Sequence, residues 1–159
     1  MRIALGADHA GVALKAFIRR AFDEAARASR TGPANTYVDF GTHSEEPADY
    51  PDFARPVAEG VASGAFDRGV LVCGTGVGMS IAANKVPGVR AALVHDPVGA
   101  GLCREHNDAN VLTLAGRSLA PETAMAIIEK FIDTPFGGGR HGPRVRKITD
   151  LERCLEGVT

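Results

Sequence analysis

The chain has 159 residues, 45% of them hydrophobic, and a formal net charge of −1. This length and apolar content suit one soluble domain, which we expect to span residues 1–159. A net charge near zero supplies no field for a nucleic-acid backbone or an anionic membrane, so neither is an expected partner. The N-terminus lacks the pattern of a secretory signal, and we therefore expect a cytoplasmic protein.

The spacing of the three cysteines bears on which disulfide or metal sites the chain can form. Cys73, Cys103 and Cys154 form no CxxC pair, which argues against a disulfide framework and against a thiolate zinc site. We expect reduced thiols.

Short β-branched runs alternate along the chain with longer segments of helical spacing. This alternation predicts an α/β fold with a doubly wound parallel sheet of about five strands and helices between them. The predicted strands are Arg2–Gly6, Thr36–Phe40, Arg68–Cys73, Arg90–Val94 and Asn110–Ala115.

The first predicted helix runs from about Val12 to Ala28. One of its faces is apolar and should cover the sheet, which leaves Lys15, Arg19 and Arg20 available for solvent. The polar segment Ser29–Asn35 then reads as a loop.

The chain ends with a second helix–loop–helix pattern. Pro121 should begin a helix that continues to about Ile132, and the run Gly137–Gly139 should form an irregular segment before a short terminal helix. This tail, from about residue 133 to 159, is rich in basic side chains.

Polar residues follow the predicted strands, where open parallel sheets bind ligands. Asp8 and His9 follow the first strand, residues 42–44 the second, residues 73–78 the third and residues 95–96 the fourth. Taken singly, each is typical of a helix cap or a surface loop. Together they predict a crevice that joins acid, imidazole, hydroxyl and thiol groups.

The segment after the third strand is the most informative. Gly74, Gly76 and Gly78 alternate, so backbone amides can approach an anion at a helix start. A dinucleotide fingerprint needs its third glycine one residue later, where Met79 stands. Asp96, about twenty residues further on, keeps that interpretation open as the weaker alternative.

Cys73 directly precedes these glycines. A thiol that faces a helix start ionises more readily, which makes a thiolate base or nucleophile possible. The alternative is an inert cysteine that ends the apolar strand, and this is our interpretation of Cys103 and Cys154, which lie in helical patterns.

Two further polar groups occur downstream. The segment 104–110 contains His106, which has acid–base potential, although the whole segment also fits a helix C-cap and turn. Arg140 and Arg144 lie four residues apart beside His141, a spacing that suits a phosphate, although taken alone they are better explained by a solvated basic tail.

The motifs, in their order, resemble those of the type B ribose-5-phosphate isomerases over nearly the whole chain. They are Gly6–Gly11, Asp39–Thr42, Asp49–Asp52, Cys73–Lys85, Glu105–Leu112 and Gly139–His141. The resemblance implies a Rossmann-like sheet and a homodimer, or a dimer of dimers, with shared active sites. It also implies interconversion of ribose 5-phosphate and ribulose 5-phosphate in the pentose phosphate pathway, through an enediolate and without metal or organic cofactor.

The same resemblance assigns roles to residues. Cys73 is the expected base, Thr75 its proton partner at the sugar oxygens, and His106 opens the furanose ring with Asp8 nearby. The amides of residues 74–78 stabilise the enediolate. The expected phosphate ligands are His9, Arg117, Arg140 and Arg144, and Asn107 and Tyr50 line the sugar site.

The chain departs from the family pattern in places. The connection from Ala25 to Asn35 is longer, and Pro97–Val98 stands where the family has Thr and an aromatic residue, which leaves the preferred sugar open. A subgroup uses a glutamate base, but residues 78–80 contain no carboxylate. Allose 6-phosphate, galactose 6-phosphate and a tetrose phosphate are alternative substrates, and a non-catalytic sugar-phosphate or nucleotide binding module is the alternative of another class.

Overall fold

The computed structural model describes residues 1–28 and 35–156, the last four of these by their backbone alone. The predicted loop Ser29–Asn35 and the side chain of Cys154 therefore lie outside the described part, apart from Asn35 itself. Within that part, no helix is both long and apolar enough to cross a membrane.

A parallel sheet forms the centre of the described fold, with strands in the order β2-β1-β3-β5-β4. Its strands are β1 Arg2–Ala7, β2 Thr36–Asp39, β3 Arg68–Cys73, β4 Ala91–Leu93 and β5 Val111–Ala115. The predicted α/β class and parallel sheet are confirmed. The predicted ends differ from the observed ends by at most one residue, and only β4 differs at both ends, because this edge strand pairs with β5 only from Ala91 to Leu93.

Helices follow each strand and cover both faces of the sheet. They are α1 Val12–Ala28, α2 Tyr50–Ala62, α3 Val77–Ala83, α4 Pro97–Asn107, α5 Pro121–Asp133 and α6 Gly142–Glu156, with 3-10 turns at His9–Gly11 and Gly139–His141. The terminal helix was expected to be short, but α6 has 15 residues.

The alternation of side chains along the central strand β3 divides the core into two layers. Val70 and Val72 pack with residues of α1 and α5 on one face. Leu71 and Cys73 pack with α2 and α3 on the other. Apolar residues on both faces are what a doubly wound parallel sheet requires, since helices exclude water from each side.

One expectation about α1 is wrong. Lys15 was expected to face solvent, but it is 1% exposed. Its Nζ lies 2.8 Å from Oδ1 of Asp39, at the end of β2. Helical spacing separates an apolar face from a polar face, but it does not show that a neighbouring strand ends in a carboxylate.

Strand register places the ends of β1, β3 and β5 at one edge of the sheet. Ala7 pairs with Val72, and Cys73 pairs with Ala115. The polar residues that follow these strands are therefore brought together at the carboxyl edge, as predicted.

Candidate functional site

A crevice of about 300 Å³ opens at the carboxyl edge of the sheet. It is lined by residues from the ends of β1, β3 and β5 and from the start of α2. They are Asp8, His9, Ala10, Tyr50, Cys73, Gly74, Thr75, Gly78 and Arg117.

The thiol of Cys73 lies in this crevice and is almost fully buried. Its Sγ accepts a hydrogen bond from the backbone N–H of Gly76 at 3.1 Å. This hydrogen bond fixes the position of the sulfur at the turn that precedes α3.

This turn depends on glycine at position 76. Gly76 has φ +77°, in the left-handed region, and immediately precedes α3. A Cβ at this position would lie 2.5 Å from Cδ1 of Leu93 and 3.0 Å from the carbonyl carbon of Leu114. Both conformation and space therefore require glycine where the chain folds its amide back onto Cys73.

Thr75 occupies the exposed rim of the same turn. Its Oγ1 lies 3.4 Å from the backbone nitrogen of Val77, from which it accepts a hydrogen bond. The hydroxyl hydrogen is not used in that interaction, so Thr75 retains a donor for a ligand.

Asp8 is buried and caps the 3-10 turn that follows β1. Its Oδ1 accepts from the amides of Ala10 at 3.0 Å and Gly11 at 3.1 Å. Capping was the simplest interpretation of this residue from the sequence, and the structure shows it. The carboxylate also lines the crevice.

His9 follows β1 and contacts the segment that joins β2 to α2, and Tyr50 begins α2 directly after that segment. Nδ1 of His9 lies 3.1 Å from both the nitrogen and the carbonyl oxygen of Ala48, so its partner depends on the tautomer. The Tyr50 ring lies over Gly78, where a Cβ would be 2.8 Å from Cζ of the tyrosine.

Arg117 follows β5 and lies beside the glycine segment. Its backbone N–H donates to the carbonyl of Gly74 at 3.2 Å. A Cβ at Gly74 would lie 3.5 Å from Nε of Arg117. A guanidinium therefore borders the amides predicted to hold an anion.

The other predicted site residues form a second group at the end of α4. The His106 and His141 rings stack with centroids 4.2 Å apart and planes 10° apart. Nε of Arg140 lies 3.5 Å from Nε2 of His141. Burial, followed by His106, Arg140 and Arg144, lowers the pKa of His141 below its ordinary value, while Glu105 opposes this change.

Asn107 completes this second group, and an ion-pair network fixes the segment that follows it. Asp108 has φ +48° and caps α4. Its carboxylate accepts from Arg104 at 2.8 Å and from Arg90 at 2.9 Å. Arg104 is almost fully buried and also donates to the carbonyl of Thr134 at 3.2 Å, which ties this segment to the chain that precedes Arg140.

The described chain does not bring the two groups together. Cys73 is level with Ala115, the last residue of β5, whereas His106 precedes Val111, the first. Four strand residues correspond to about 13 Å, so the groups lie at opposite edges of the sheet. His106 lies near Asp8 only if another subunit supplies one of them.

Sequence reasoning missed two ion pairs in which the cation is buried, Lys15–Asp39 and Arg104–Asp108. The second had a local signal, because the two residues are four apart at a helix end. The first had none in the helical pattern, since its partners are 24 residues apart.

Comparison with known proteins identifies the family. Residues 3–148 match the family model described as Ribose/Galactose Isomerase. The chain belongs to the ribose/galactose isomerase family.

Three members of this family illustrate the similarity. Ribose-5-phosphate isomerase B of Escherichia coli is 43% identical over 152 residues, covering 96% of this chain and 97% of the relative. D-erythrulose-4-phosphate isomerase of Pectobacterium atrosepticum is 40% identical over 148 residues, 93% of each chain. The solved structure of Clostridium thermocellum ribose-5-phosphate isomerase B gives a TM-score of 0.90 at 45% identity, with 98% and 99% of the chains covered.

These matches confirm the predicted resemblance to type B ribose-5-phosphate isomerases and, with it, the predicted class of enzyme, an aldose–ketose isomerase. Because the chain belongs to an isomerase family, the alternative interpretations as a dinucleotide-dependent enzyme and as a non-catalytic binding module are set aside. Among the described residues, no group of three or more His, Cys, Asp and Glu side chains is arranged to hold a metal ion.

Proposed function

We propose that this protein interconverts ribose 5-phosphate and ribulose 5-phosphate through an enediolate, with Cys73 as the base and without a metal. The observation that carries the proposal is the position of the Cys73 sulfur, in the crevice and hydrogen-bonded to the Gly76 amide. The substrate follows from the similarity to ribose-5-phosphate isomerases B.

The proposed reaction begins with the open-chain aldose. The thiolate of Cys73 removes the proton from C2, which leaves the enediolate, and returns a proton to C1 to form the ketose. Thr75 moves the hydroxyl proton between O1 and O2, since its donor is free of the contact to Val77. Other amides of residues 74–78 stabilise the enediolate oxygen, each by about 3 kcal/mol.

We further propose that two subunits share each active site. His106, Asn107, Arg140 and Arg144 of one copy complete the crevice of the other, because the chain holds them at the opposite edge of its own sheet. His106 then opens the furanose ring of a sugar bound beside Asp8 and Cys73. The tail from about residue 133 supplies subunit contacts as well as ligands, and residues 1–159 act as one domain.

Exposed apolar side chains support association. Ile81 on α3 and Leu151 on α6 are 58% and 66% exposed, and Val77 and Ile148 are also exposed. Large apolar side chains that a single copy leaves in solvent are typical of surfaces that a partner covers. A homodimer with two-fold symmetry is the commonest arrangement of identical subunits, and it buries the same surface of both copies.

The phosphate is proposed to lie between His9 and Arg117 of one subunit and Arg140 and Arg144 of the other. These groups are remote from the reacting carbons, so their binding energy can hold the open-chain sugar in a reactive geometry. A cationic site of this kind also explains why basic residues cluster in the C-terminal segment.

A different phosphorylated sugar is the second candidate. It is favoured by the similarity to a D-erythrulose-4-phosphate isomerase and by Pro97–Val98, which begin α4 beside β4. A tetrose phosphate, allose 6-phosphate or galactose 6-phosphate would then be the substrate.

The test is turnover of ribose 5-phosphate, with allose 6-phosphate in parallel, by wild type, Cys73→Ala and Cys103→Ala in EDTA. Cys103 is a thiol outside the crevice and serves as the matched control. We expect chelator-resistant turnover that only Cys73→Ala loses. Full activity of Cys73→Ala would exclude the thiol base, and faster turnover of another sugar would replace the substrate.

A further inference from the structure

A buried ion pair lies beside the crevice and has no part in the reaction proposed above. Nζ of Lys15 lies 2.8 Å and 2.9 Å from the two carboxylate oxygens of Asp39 and donates to the carbonyl of Thr42 at 2.7 Å. All three N–H groups of the ammonium therefore have acceptors.

The carboxylate of Asp39 is also held by several donors. It accepts from the amide of Gly41 at 2.9 Å and lies 3.2 Å from the guanidinium of Arg19. Nδ1 of His43 lies 3.8 Å away. The pair consequently joins α1, the end of β2 and the start of the segment 41–49, which we call the β2–α2 loop.

The start of the β2–α2 loop is pressed against the end of β1. A Cβ at Gly41 would lie 2.4 Å from the backbone nitrogen of Ala7 and 3.0 Å from Nζ of Lys15, so only glycine fits. The amide of Thr42 donates to the carbonyl of Ala7 at 3.1 Å. Ala7 directly precedes Asp8, which places the loop at the wall of the crevice.

The other end of the β2–α2 loop contacts the crevice residues themselves. The backbone nitrogen of Ala48 is hydrogen-bonded to Nδ1 of His9. Tyr50 is the first residue of α2, and its ring lies over Gly78. Residues 43–47, between these anchored ends, are exposed. The loop is thus fixed by the ion pair at one end and by His9 at the other.

We propose that Lys15 and Asp39 are positioning residues that hold the β2–α2 loop so that His9 and Tyr50 are set for the phosphorylated sugar. The inference rests on the proposed function and adds residues that do not touch substrate. Stability alone does not require such a pair, because well-packed apolar residues often replace a buried ion pair without loss. An ammonium with fixed acceptors on two segments, by contrast, fixes their relative position.

The test is the double variant Lys15→Met/Asp39→Asn, which removes both charges and leaves an oxygen for the Gly41 amide. We expect the KM for ribose 5-phosphate to rise about tenfold while kcat stays within about twofold. The amides of Thr42 and Ala48 should exchange hydrogen faster. The matched control, Arg55→Met/Glu59→Gln, removes an exposed pair on α2 and should change neither quantity.

A folded double variant with unchanged KM and unchanged amide exchange would overturn the proposal, as would a loss confined to kcat. If the double variant does not fold, Lys15→Met alone decides by the same measurements, because Arg19 still pairs with the carboxylate of Asp39. Inorganic phosphate binding, measured by calorimetry, should weaken about tenfold. This readout and the exchange rates separate failure of the inference from failure of the proposed function, which would appear as absent turnover by wild type.

Discussion

The two edges of the sheet carry different kinds of functional groups. At the carboxyl edge, Cys73 ends β3, Asp8 and Arg117 follow β1 and β5, and hydrogen bonds with the backbone set their positions. At the amino edge, His106 and His141 belong to a helix end and a 3-10 turn, and side-chain contacts hold them. The strands therefore place the reacting thiol, whereas contacts between side chains place the proposed ring-opening histidine His106 and the proposed phosphate ligand Arg140.

The largest effect on kcat should come from variants that remove one group from each edge of the sheet. Cys73→Ala and His106→Ala should each lower kcat by about 10²- to 10⁴-fold, the usual contribution of a positioned acid or base. When the two inactive variants are unfolded together and refolded, about one quarter of wild-type activity should return, because half of randomly paired dimers contain one intact site.

The absence of any recovered activity on mixing would place both groups in one subunit and refute the shared site. Refolded wild type, carried through the same procedure, measures the recovery of active protein.

A smaller effect is expected from the phosphate ligands of the amino edge. Arg140→Ala should raise KM by roughly 10- to 100-fold with kcat little changed, since a charge-assisted hydrogen bond contributes about 1.5–3 kcal/mol. Steady-state kinetics check this, with Arg146→Ala, on the following helix α6, as the matched removal of an arginine. A fall in kcat at constant KM would mean that Arg140 acts on the reaction rather than on binding.

The network beneath the amino edge should affect stability more than chemistry. Asp108→Ala leaves the buried guanidinium of Arg104 without its carboxylate. We expect the free energy of unfolding to fall by about 1–3 kcal/mol, less than for a fully buried pair because Asp108 is partly exposed and Arg104 keeps two carbonyl acceptors. Urea denaturation measures it, and a matched loss for the exposed pair variant Glu59→Ala would refute the distinction.

The smallest effect should be a pH dependence confined to the amino edge. The pKa of His141 is lowered in the folded state, so the unfolded state binds more protons as pH falls below its ordinary value near 6.5. Stability should therefore decrease from about pH 6.5 downward until the folded-state pKa is passed. Melting temperatures of wild type and His141→Gln between pH 8 and 5 test this, and identical slopes would contradict it.

The parts of the site that could be predicted from the sequence are those formed by consecutive residues at the end of a strand. The position of Cys73 and its glycines followed from one rule, that parallel strands present their carboxyl ends together. Contacts between side chains that are far apart in the sequence were not predictable in this way. The burial of Lys15 depends on Asp39, and the stack of His106 on His141 depends on how α4 and the last turn approach each other, which no local pattern encodes.

The outermost strands are also the shortest, β2 with four residues and β4 with three. A short edge exposes few unpaired backbone N–H and C=O groups, which gives a foreign strand little to add to. The sheet is thereby protected against edge-to-edge aggregation even though its core is strongly apolar. Any specific pairing of copies is consequently expected to use helix surfaces, not extension of the sheet.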